Sequence, residues 1–69
     1  MDMQQLNKTL GHALGNYQIA KAQGQRQSVI DAFRFTIKML NRAKTSLKAG
    51  HTGWATFHVN LAVHSLKYL

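Results

Sequence analysis

The stretch FRFTIKMLNRAK, Phe33–Lys44, carries two periods at once. Phe33, Phe35 and Ile37 alternate with Arg34, Thr36 and Lys38, which is the two-residue period of a strand. Arg34, Lys38 and Arg42 recur every four residues, which is the period of a helix. Length decides between them. A strand over 33–38 has to stop before MLNRAKTSLKA, which keeps helical spacing and contains no breaker. From Gln25 to Ala49 there is neither glycine nor proline, so the helical pattern far outruns the alternation. On a helix, Phe33 and Ile37 face inward and the three cations form an outward ridge. Phe35 then points about 200° away from Phe33, beside those cations.

Working outward, this second helix is predicted over about 28–49. Ser28 is the expected N-cap, and Asp31 at the third helical position suits the positive end of the dipole. Lys44 and Lys48 lie near the other end, and Gly50 suits the left-handed residue that closes a helix. Val29, Ile30, Phe33, Ile37, Leu40 and Leu47 make the expected inner face. Gly24 precedes this helix, and Gly50 and Gly53 follow it.

The first segment, about 3–23, has Asp2 and Gln5 at capping-box spacing. Met3, Leu6, Leu10, Ala13, Tyr17 and Ala20 then form one narrow apolar stripe, which Leu14 widens. Gly11 and Gly15 sit four residues apart on a flank of this helix. That spacing either admits a second backbone or leaves the helix locally soft.

The third segment, about 53–67, has Thr52 as its expected cap. Trp54, Phe57, Leu61 and Tyr68 fall on one side of a helical wheel, and Ala55, Val59, Ala62 and Leu66 on another. Only Thr56, Asn60 and Lys67 make a polar strip. An ordinary surface helix has an apolar stripe little more than about 100° wide. The excess predicts self-association through Trp54, Val59, Ala62, Val63 and Leu66. The alternative is a third helix set deep in the groove of the preceding hairpin. The fold predicted is all-α. It is one domain over 1–69, a three-helix bundle of a long helical hairpin plus a shorter, highly apolar third helix, and it is expected to be homo-oligomeric.

With 69 residues, the chain can hide only about 60% of its unfolded surface. It has no cysteine, so no disulfide framework and no thiolate metal site. No stretch reaches the roughly 18 apolar residues of a membrane span, and MDMQQLNKTL lacks a signal-peptide core. A cytoplasmic location is expected.

Nine Lys and Arg face two acids, Asp2 and Asp31, for a net charge of +7. Such a chain is drawn to polyanions. Six of the cations, Arg26, Arg34, Lys38, Arg42, Lys44 and Lys48, lie on or just before the second helix. Nothing acidic within the helix offsets Lys38 or Arg42. Phe35 and Met39 are expected to border the ridge.

Acid–base catalysis needs paired carboxylates or a carboxylate within reach of histidine. Here both acids sit where helix caps are wanted, and no nucleophile or phosphate-loop motif is present, so no enzyme activity is expected. His12, His51, His58 and His64 lack the four-residue spacing of helical metal ligands, so no metal or cofactor is expected.

Two function classes remain. The first is a small non-enzymatic protein-binding modulator, an inhibitor or adaptor. It would dock Arg34, Phe35, Lys38, Met39 and Arg42 on an acidic protein surface. The second is a dimeric helical nucleic-acid-binding protein that grips phosphates through the second helix. Small size and exposed apolar surface favour the first.

Overall fold

The computed structural model describes residues 2–66, the side chain of Leu66 excepted. Three helices follow one another: α1 over Met3–Ala22, α2 over Gln27–Lys48 and α3 over Thr52–Leu66. The strand alternation at Phe33–Lys38 is a coincidence inside α2. Lys67, Tyr68 and Leu69, expected to end the third helix and extend its apolar arc, lie outside the described residues.

Local chemistry sets the helix ends. The backbone N–H of Gln5 donates to Asp2 Oδ1 at 2.7 Å, so Asp2 caps α1 as expected. The return bond from the Gln5 amide is not made among the described residues. Gly24 closes α1 with φ +67°; Gln25 N–H reaches the Ala20 carbonyl at 3.0 Å and Gly24 N–H the Lys21 carbonyl at 3.2 Å. Gly50 closes α2 in the same manner with φ +82°, with His51 N–H on the Ser46 carbonyl at 2.9 Å and Gly50 N–H on that of Leu47 at 3.1 Å. These paired bonds satisfy carbonyls that a helix end would leave open. The connections that follow are short, so neighbouring helices run antiparallel.

Two predicted caps move. Helix α2 begins one residue before Ser28, with Arg26 as an N-cap that makes no side-chain bond. The Arg26 carbonyl closes the first turn by accepting from Val29 N–H at 3.0 Å and Ile30 N–H at 3.2 Å. Asp31 accepts from Gln27 Nε2 at 2.8 Å. Thr52, expected as the cap of α3, is already helical, because Ala55 N–H donates to the His51 carbonyl at 3.0 Å.

Helix α2 is the central element and packs on both α1 and α3. Among the described residues no Cα of α1 lies within 8 Å of one in α3. The third helix therefore does not sit in a hairpin groove; it lies along one flank of α2. The core joins Leu6 and Ala13 of α1, Met39, Leu40 and Ala43 of α2, and Ala55, Val59 and Ala62 of α3. Three of the buried core residues on α2 and α3 are small, Ala43, Ala55 and Ala62. The buried centre of α2 is turned from the expected Phe33–Ile37 line toward Met39 and Ala43. The reason is that α3 takes the Met39 flank while α1 takes the other. Phe33 and Ile37 are half-buried at that second flank.

One part-buried polar link crosses this core. Thr36 Oγ1 lies 2.9 Å from the Ala32 carbonyl and 3.0 Å from Ser65 Oγ, and Ser65 Oγ lies 2.8 Å from the Ala62 carbonyl, so one hydroxyl donates to the other and the acceptor donates to the carbonyl of its own helix. Where α1 and α3 stay apart, an apolar cleft of about 110 Å³ remains over Thr36 and Leu40. No helix among the described residues is long and apolar enough to cross a membrane.

A candidate docking groove over α2

The outward face of α2 forms the floor of an open groove of about 830 Å³. Four of the five residues expected there line it: Arg34, Phe35, Lys38 and Arg42. The fifth does not. Met39 is only 5% exposed and belongs to the core, because the flank that borders the ridge is the flank on which α3 packs. The groove gains walls that the ridge alone did not imply. Leu14 and Tyr17 of α1 stand on one side and His58 of α3 on the other.

The cations of the floor follow the helical rise, so successive charges are set about 6 Å apart along the axis. Arg34, Lys38 and Arg42 are all exposed, and none makes a hydrogen bond or ion pair among the described residues. Asp31, the acid nearest in sequence, is engaged by Gln27. A fourth cation stands at the α1 wall, where Lys21 Nζ lies 5.3 Å from the centre of the Tyr17 ring. Phe35 is 42% exposed and Leu14 equally so, large apolar surfaces for positions that flank charge.

His58 links the groove to an aromatic cluster on α3. Its ring stacks on Trp54 with centroids 6.1 Å apart and a 27° interplanar angle, and meets Phe57 at 5.5 Å. Trp54 and Phe57 pack edge to face at 5.7 Å. The Nδ1 atom of His58 is buried and has no hydrogen-bond partner. Trp54 and Phe57 remain 61% and 49% exposed.

Two of the five residues expected to drive self-association are used by the fold itself. Val59 and Ala62 point into the core, because α3 turns its Ala55–Val59–Ala62 side to α2. Trp54 and Val63 are exposed, and the side chain of Leu66 lies outside the described residues. No other segment of this chain approaches Gly11 or Gly15: both are exposed, and a Cβ at either would meet nothing within 4 Å. Among the described residues, no three histidine or carboxylate side chains converge on a common point.

Leu14, Tyr17 and His58 were the groove residues least visible in the sequence. Leu14 shows there only as the residue that widens an apolar stripe, and Tyr17 reads as part of that stripe. His58 reads as one polar side chain in an apolar helix. Comparison with known protein families, curated proteins and solved structures finds no match to this chain.

Proposed function

We propose that this chain is a non-enzymatic protein-binding modulator, an inhibitor or adaptor, that docks the groove over α2 on an acidic surface of a partner protein. One observation carries the reading: Arg34, Lys38 and Arg42 stand unpaired beside Phe35 on a groove floor whose walls include Leu14 and Tyr17. Like charges at this helical spacing repel by a few tenths of a kcal/mol per pair. Carboxylates of a partner relieve that repulsion. Apolar walls exclude water around the pairs and so strengthen them. Both side-chain acids lie at helix starts, Asp2 bonded by the Gln5 N–H and Asp31 by the Gln27 amide, which supports a structural use for them.

A second reading, nucleic-acid binding, is favoured by one feature. The charge step of about 6 Å along α2 also suits a phosphate backbone, and the net charge of +7 adds long-range attraction.

An affinity pull-down with and without nuclease separates the two. The expected result is an acidic protein that stays bound after nuclease and is lost with Phe35→Ala as well as with Lys38→Glu. Recovery of nucleic acid alone, with no protein after nuclease, sinks the modulator reading.

A further inference from the structure

We infer that Trp54 and Phe57 belong to the same docking surface as Arg34, Lys38 and Arg42, and that an acidic amphipathic helix of the partner occupies it. The inference rests on the protein-docking reading above and extends it to a second patch and to a stated partner element.

Continuity comes from His58. It lines the groove and also touches both rings of the aromatic cluster. The fold does not need the two rings in place: α3 packs on α2 through Ala55, Val59 and Ala62, while Trp54 and Phe57 stay more than 45% exposed at 61% and 49%. Interface anchors are enriched in Trp, Tyr and Arg; the groove supplies Tyr17, Arg34 and Arg42, and Trp54 adjoins it through His58.

A second copy of the chain is a poor occupant. It brings a further +7 to a cationic floor. Its only two side-chain carboxylates, Asp2 and Asp31, are already bonded at helix starts and cannot meet three cations. The occupant therefore comes from a different, acidic chain.

Backbone chemistry favours a helix. The described residues contain no strand edge on which an extended peptide could pair its N–H and C=O groups by strand addition. A helix satisfies its own backbone. Its residues at i, i+4 and i+8 rise by about 6 Å per step, which matches the step of Arg34, Lys38 and Arg42. Carboxylates at those positions meet the floor. Apolar residues beside them meet Phe35 and, past His58, Trp54 and Phe57. Nucleic acid is less well served: Trp54 already carries His58 stacked at 27° and Phe57 edge-on at 89°, a consolidated cluster rather than separate platforms for bases.

Trp54 is the only tryptophan, so its emission reports this patch directly. Three probes are titrated at low salt: a helical peptide with Glu at i, i+4 and i+8 beside a Leu stripe, a peptide of the same composition in permuted order, and a short single-stranded DNA. Dye-labelled peptide gives affinity by anisotropy, and unlabelled peptide gives the Trp54 signal. The ordered peptide is expected to bind and to move Trp54 emission to shorter wavelength. Phe57→Ala and, separately, the triple variant Arg34→Glu/Lys38→Glu/Arg42→Glu are each expected to weaken it by about tenfold or more. Circular dichroism checks that the variants stay helical, and Trp54→Ala serves if Phe57→Ala does not fold. Binding with unmoved Trp54 emission and unchanged affinity in Phe57→Ala overturns the inference and leaves the docking reading standing. Equal affinity for the permuted peptide overturns the helical occupant. Binding of neither peptide overturns both proposals, and DNA bound in preference to the ordered peptide replaces them with nucleic-acid recognition.

Discussion

Thr36 and Ser65 place their hydroxyl oxygens 3.0 Å apart across the α2–α3 interface, in a core otherwise made of aliphatic side chains and methionine. Each hydroxyl also lies within bonding distance of a carbonyl of its own helix, Ala32 for Thr36 and Ala62 for Ser65; with one proton each, one hydroxyl donates across the interface and the other donates to its own helix. The pair therefore fixes how the two helices slide past one another without leaving a polar group stranded. Thr36→Val and Ser65→Ala are each expected to lower stability by about 1 kcal/mol. The double variant should cost less than the sum, with a coupling of roughly 0.5 kcal/mol or more. A denaturant double-mutant cycle measures this, and additive costs would show that the contact carries no energy.

Met39 and Phe35 divide folding from docking. Both are large, apolar and on α2, but one is core and the other is 42% exposed at the groove. Met39→Ala is expected to cost about 2–5 kcal/mol of stability, enough to unfold much of a chain this small. Phe35→Ala should leave the melting temperature close to that of the parent and weaken partner binding. Thermal unfolding followed by circular dichroism, beside a binding assay, checks the split.

The cationic ridge predicts opposite signs for folding and binding. Lys38→Glu replaces two repulsive pairs, with Arg34 and Arg42, by two attractive ones. Stability is expected to rise by a few tenths of a kcal/mol at low salt, and the gain should fade as salt screens the pairs. Affinity for an acidic partner should fall. A variant that became both less stable and weaker in binding would contradict the unpaired state of these side chains.

The glycines separate by backbone angle. Gly11 and Gly15 sit in the middle of α1 with open space around them, so Gly→Ala at either should stabilise by about 0.5–1 kcal/mol. Gly50 has φ +82°, and alanine there is expected to destabilise by roughly 1 kcal/mol although it too would meet nothing. Unfolding midpoints of the three single variants give the test.

Much of this architecture is legible in the residues. The unbroken run from Gln25 to Ala49 marks α2, Gly24 and Gly50 mark the stops, and Asp2 marks the start of α1. The rotation of α2 is not legible. A helix with one neighbour buries one stripe, whereas a central helix buries two flanks, and the choice between Phe33–Ile37 and Met39–Ala43 depends on where α3 lies. Met39, Val59 and Ala62 all left the surfaces expected of them for that single reason. The floor of the groove was readable because charge spacing is a one-helix property. Its walls, Leu14, Tyr17 and His58, come from the other two helices and depend on packing that periodicity does not encode.

The separation of α1 from α3 has a consequence for how the chain acquires its shape. Among the described residues, every close backbone approach between helices joins elements adjacent in the sequence, α1 with α2 and α2 with α3, so no long loop has to close before these contacts form. Such topologies have low contact order and fold on the microsecond-to-millisecond scale. Two nuclei are available, one in each hairpin, and both contain α2. Thr36, Leu40 and Ala43 on that helix are the positions where a substitution should slow folding itself, whichever hairpin forms first.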